Sequence, residues 1–170
     1  MKNFLSSIGI TFVLVSLAIS SSFAQATATA NASATIVTPI SITKTVDMNF
    51  GNVAVNATAG TVVLTPAGTR TSTGGVTLPA TAGTVTAASF TVNGQGAYTY
   101  AITLPSTALT ISSGANNMTV TTFTSTPSAT GTLTAGTQTL NVGATLNVGG
   151  SQVAGTYTSA TPFSVTVNYN

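Results

Sequence analysis

The sequence predicts an all-β protein, an immunoglobulin-like antiparallel β-sandwich of roughly 7 to 10 strands. Three observations predict it. The end of the chain, T-P-F-S-V-T-V-N-Y-N from Thr161 to Asn170, places Phe163, Val165, Val167 and Tyr169 on one side of an extended backbone and Ser164, Thr166 and Asn168 on the other, the period of a half-buried strand. No segment of the mature chain carries a 3.6-residue apolar period, and the Thr and Gly that fill it are poor helix formers. Charged residues are 2% of the chain, against about 25% in soluble domains, so the polar faces must be built from Thr, Ser, Asn and Gly.

Met1 to Ala24 has the layout of a cleaved secretory signal peptide: Lys2, an apolar run from Phe4 to Ile19 interrupted by serines, and small residues at Ser22 and Ala24. Its removal leaves 170 − 24 = 146 residues, enough for one domain with its own core. The mature chain is expected to carry no transmembrane segment, because no later stretch is apolar for long enough. Gln25 to Val37 alternates again, with Ala26, Ala28, Ala30, Ala32, Ala34 and Ile36 on one face. Two readings stand: an alanine-rich unstructured leader, or a strand offered for pairing elsewhere.

The domain proper is expected over 38–170. Pro39 ends the alanine run, and Ile40, Ile42, Lys44, Val46, Met48 and Phe50 alternate after it. Lys44 on an apolar face implies a bulge, or a packed stem whose ammonium reaches Asp47 at the rim. Val53 and Val55 start another strand before a loose stretch at 56–60. Thr61 to Leu64 is a short apolar run closed by the turn Pro66-Ala67-Gly68, and Thr69 to Gly75 reads as a polar loop or edge holding Arg70. Ala88, Phe90 and Val92, then Tyr98, Tyr100, Ile102 and Leu104, flank Asn93-Gly94-Gln95-Gly96, which reads as a hairpin. Leu109 and Ile111 are followed by S-S-G-A-N-N, which reads as a turn, and then by Met118 and Val120, with Phe123 out of phase, a bulge signal. Thr124 to Gly136 reads as a long surface connection. T-L-N-V occurs at Thr139–Val142 and again at Thr145–Val148, too short for a solenoid array.

Chemistry-bearing residues are scarce. With no His, no Cys and a single Asp or Glu, the chain has no material for a Ser-His-Asp triad, a carboxylate pair or a zinc or iron cluster, and no cofactor is expected. Ser33 or Ser41 with Lys44 is the one formal nucleophile pair, and Asp47 with Asn49 offers a calcium ion a single charge. Gly94-Gln95-Gly96 opens like a dinucleotide fingerprint but is embedded in strands. A formal net charge of +2 makes no basic patch, which argues against nucleic acid as a partner. An enzyme is therefore not expected.

The segments D-M-N-F-G-N-V at 47–53, Y-T-Y-A-I-T-L-P at 98–105, L-N-V-G-G-S-Q-V-A-G-T-Y-T at 146–158 and F-S-V-T-V-N-Y at 163–169 resemble the bacterial family of domain of unknown function 4402. The resemblance implies an exported Gram-negative protein with an immunoglobulin-like or fimbrial-type β-sandwich and no assigned activity. More loosely, the tail with Tyr169 as penultimate residue is similar to chaperone-usher pilins. That similarity implies partners among copies of the chain or other envelope proteins, a periplasmic chaperone or usher, and donation of the N-terminal strand to a neighbour. The expected assembly surface is Ala26, Ala28, Ala30, Ala32, Ala34 and Ile36 on one side of the contact, with Phe163, Val165, Val167 and Tyr169 on the other.

The leading expectation is thus a pilin-like or coat subunit, located in the periplasm, at the cell surface or outside the cell. The rival is a monomeric adhesin or glycan-binding module that uses the Thr-rich loops. Ice binding through T-x-T ranks requires threonines in register on a flat face. An outer-membrane barrel requires aromatic girdles and usually an aromatic C-terminus, and this chain ends in Asn170.

Overall fold

Alternation becomes strand from Ser41 onward. In chain order the strands are β1 (Ser41–Val46), β2 (Ala54–Leu64), β3 (Arg70–Thr77), β4 (Ala88–Asn93), β5 (Thr99–Thr103), β6 (Leu109–Ser113), β7 (Asn116–Thr126), β8 (Thr130–Thr132), β9 (Thr137–Val148) and β10 (Thr166–Tyr169). The structure is a computed structural model and describes residues 24–170. The expected signal peptide therefore lies outside the described residues, apart from Ala24. Ile36–Asn170 forms one compact unit, and the ten strands make two antiparallel sheets of seven and three, a β-sandwich.

β9 organises the larger sheet. Its first half, Thr137–Val142, pairs with β4, which pairs with β1; its second half, Ala144–Val148, pairs with β2, which pairs with β3. β7 pairs with β9 across both halves, from Asn141 to Asn147, and β6 pairs with β7. A strand has only two edges, so β4 and β2 must lie end to end along the edge of β9 that β7 leaves free. Gly143 sits at their junction. A Cβ there would run into the Leu64 carbonyl and Thr65, where the chain leaves β2. The smaller sheet has the order β10-β5-β8.

Side-chain parity along β9 explains the repeated T-L-N-V. The two copies are 145 − 139 = 6 residues apart, an even shift, so both keep the same face inward. Leu140, Val142, Ala144, Leu146 and Val148 are all buried. The core follows the two halves of this strand. Leu140 and Val142 pack with Phe90, Val92, Tyr100, Leu133 and Val167, and Ala144, Leu146 and Val148 pack with Val62, Val76 and Val120. Each Val, Leu or Phe among them contributes about 1.5–3 kcal/mol of transfer free energy.

Several local expectations hold. Phe123 follows Thr122, whose φ of 50° marks the bulge, and the β7–β9 register shifts between Thr121 and Thr124. Phe123 thereby turns inward against both clusters. Gly114, at φ 59°, supplies the left-handed residue of the β6–β7 turn between Ser113 and Asn116. For Lys44 the bulge reading holds, since the β1–β4 register shifts between Lys44 and Val46; the stem is exposed rather than packed, although the ammonium does reach Asp47 at 2.6 Å.

Others are corrected. Asn93–Gly96 is not a hairpin turn: β4 lies in the large sheet and β5 in the small one, so the turn is a corner between layers. Alternation reports a buried face and does not report the neighbour, and both strands face the same interior. Residues 56–60 continue β2 and are not loose. The stretch 124–136 is no surface connection, because it holds the end of β7, the whole of β8 and Leu133, which is 1% exposed. Its Ser-Thr-Gly composition hid strand segments with no large apolar side chain of their own, Leu133 lying just after β8.

Candidate assembly surface

The C-terminal alternation holds as a face, although the hydrogen-bonded strand begins only at Thr166. Val167 is buried, and Phe163, Val165 and Tyr169 pack partly buried against the same cluster. Phe163 meets Phe123 and Phe90 at ring centroid distances of 5.0 and 6.4 Å. β10 pairs with β5 through Thr166↔Thr103 to Tyr169↔Tyr100, and among the described residues it pairs with no other strand. Its second edge carries no strand ladder among the described residues, although β1 comes close to it.

Tyr169 closes the end of that strand. Its hydroxyl accepts from the Gln95 amide at 2.6 Å and donates to the Thr38 carbonyl at 2.8 Å. The Thr38 amide in turn donates to Gln95 Oε1 at 3.2 Å. Gly94 is obligatory beside it, because a Cβ there would occupy the position of the Tyr169 hydroxyl. Tyr98 packs edge-on against Tyr169 at 5.6 Å. The chain thus enters the sandwich through a clasp made by the last strand and the corner after β4. Sequence reasoning found Tyr169 but not Thr38 or Gln95, whose roles depend on backbone groups that carry no residue signal.

The other chosen residues lie elsewhere. Ala26, Ala28, Ala30, Ala32, Ala34 and Ile36 are exposed and belong to no strand, and Ile36 is 93% exposed. The structure groups Phe163, Val165, Val167 and Tyr169 together.

A second feature was missed. β5 and β10 run as an antiparallel ribbon up to Thr103↔Thr166, and Ser112 and Thr158 form an isolated antiparallel bridge further along the same two chain segments. Between these points, among the described residues, no backbone hydrogen bond joins 104–108 to 159–165. The segments part around an opening of about 440 Å³, with Leu104, Leu109, Pro162 and Phe163 among its walls. Ser112 spends its N–H and C=O on Thr158, so Thr110, of the same parity, directs its own toward the opening. Ala108 and Pro162 would be the next pair but one, and Pro162 has no N–H to give. Pro105 and Pro162 were the available signals for this gap.

The Lys44 ammonium is engaged with Asp47 on the exposed rim. Among the described residues there is no group of three metal-ligating side chains. Tyr100 donates to Gln138 Oε1 at 2.8 Å, and burial pushes its hydroxyl above the usual tyrosine range. Arg70, on β3, holds the carbonyls of Phe50 and Asn52 and so pins the 47–53 segment to the sheet.

A family model described as a domain of unknown function (DUF4402) matches residues 40–169. No curated protein and no solved structure gives a match.

Proposed function

The chain belongs to the DUF4402 family, and from that premise we propose that it is a non-enzymatic structural protein of the cell envelope or surface, whose copies assemble by adding the 25–36 segment of one to a strand edge of the next. The observation that carries this reading is a pair of unmet pairings. An alternating segment is exposed and in no strand, and β10, the strand of the C-terminal alternation, is paired on one side only. An extended segment added to such an edge gains a row of backbone hydrogen bonds. The near absence of charge supports the same reading, since nothing repels a second copy. Partners are copies of the chain or other envelope proteins, delivered by a periplasmic chaperone or usher.

A second reading, a monomeric glycan-binding module, is favoured by the outer face of the large sheet. Thr73, Thr61, Asn147, Thr119 and Thr110 lie opposite one another across five strands. Thr61 and Thr73 share a hydroxyl bond at 2.7 Å, and the Asn147 amide donates to Thr121 Oγ1 at 2.9 Å. Such an uncharged rank of donors and acceptors suits sugar hydroxyls.

Deletion of residues 25–36 separates the two. Strand addition expects filaments or ladders from the intact protein, seen by negative stain and size exclusion, and monomers from the truncated one. Intact protein that stays monomeric at high concentration defeats it and leaves the glycan reading.

A further inference from the structure

We infer that the opening between 104–109 and 161–164, which lies on the β5 side of the C-terminal stretch and not on the unpaired edge of β10, is the seat for Ile36 of a second copy, an inference that rests on the proposed self-assembly. The opening has the two properties such a seat needs. Leu104, Leu109 and Phe163 give it apolar walls continuous with the core clusters. Its rims are parted backbone, where Thr110 on one side and the 159–165 stretch on the other lack the ladder partners that Ser112 and Thr158 have found. An entering extended residue can therefore place its side chain on the apolar walls and its amide groups against the rims.

Ile36 is the matching piece. It is the one large apolar side chain on the alternating alanine face, and at 93% exposed it is the least covered large apolar residue among the described residues. The flanking alanines are small enough to let the backbone approach. A copy cannot fill its own opening. Thr38 is held at the corner after β4 by Gln95 and Tyr169, and two further residues reach at most about 7 Å. The opening begins beyond the far end of β5, a strand that spans about 13 Å by itself. Ile36 accordingly stands in solvent in its own subunit.

The contact is heterologous, because the surface that gives Ile36 differs from the surface that receives it. Repetition of such a contact extends a chain of subunits unless the rotation happens to close a ring.

The absence of cysteine from the sequence makes the test direct. Full-length Ile36→Cys protein is mixed with size-tagged Ala108→Cys protein, oxidised mildly and run on a non-reducing gel. The expected result is a mixed disulfide in excess over either self-pair, and a ladder, lost on reduction, from the chain that carries both substitutions. Ser164→Cys serves as the receiver if Ala108→Cys does not fold. Thr71→Cys on β3 is the control position. Should light scattering show assembly while Ile36→Cys couples to Thr71→Cys as well as to Ala108→Cys, or to neither, the seat is wrong and strand addition stands at another edge. Should the wild-type protein not assemble at all, both fall together.

Discussion

Tyr169 joins three parts of the chain through one oxygen, so its hydroxyl can be removed with little change of shape. Tyr169→Phe leaves the Gln95 amide without its acceptor and the Thr38 carbonyl without its donor. The Gln95 bond is half-buried and the Thr38 bond exposed, so their joint loss should cost about 0.5–1.5 kcal/mol. The urea midpoint should fall with no change in slope, and the Gln95 amide should exchange faster with deuterium. An unchanged midpoint would mean the clasp is ornamental. Tyr100 gives a different signature. Its folded pKa is raised by burial, so the folded protein holds its phenolic proton at a pH where the unfolded chain releases it. Its contribution is therefore level below the ordinary tyrosine value, about 10, and stability falls as pH rises above that value. Tyr100→Phe should flatten the alkaline fall seen in thermal melts recorded across that range. Both tyrosines stood out in the sequence as members of apolar faces, but the hydroxyl partners that distinguish them were not legible.

At the scale of elements, the sequence reported faces reliably and neighbours poorly. The alternations at 163–169 and 88–92 both turn their apolar members inward. Pairing of 88–93 with 99–103 was the expectation, and the two strands instead sit in opposite layers. The reason is physical. A buried face lowers free energy whether the strand beside it arrives through a tight turn or a corner, and Gly94 serves the corner by making room for Tyr169. The opening was invisible for a related reason, since it consists of bonds not made. Residue pattern should nevertheless predict energetics along β9. Leu146→Ala, at a site 3% exposed and in the second core cluster, should cost about 2–5 kcal/mol. Thr139→Ala, on the exposed face of the same strand, should change stability by no more than about 0.5 kcal/mol. Equal costs in equilibrium denaturation would remove β9 from the centre of the sheet.

For the whole molecule, the governing quantity is the near absence of charge. Surface charge ordinarily keeps exposed strand edges apart, and here 2% of residues are charged. One of the few, Asp47, is paired with Lys44. In the proposed assembly, copies are held together by backbone hydrogen bonding and a small apolar seat, neither of which involves counterions. Raising the ionic strength from about 10 mM to about 1 M shortens the screening length roughly tenfold, from about 30 to about 3 Å. An assembly joined by ion pairs would loosen over that range. Assembly here should begin at nearly the same protein concentration throughout, or slightly lower in a salting-out anion such as sulfate, which favours apolar burial. Urea should act in the opposite sense, because it solvates both the peptide groups and the apolar contacts on which the join depends. Light scattering against protein concentration at the two ends of the salt range tests this. A strong rise in the onset concentration with sodium chloride would show that charge holds the copies together, and with it the premise of an uncharged strand-edge join would go.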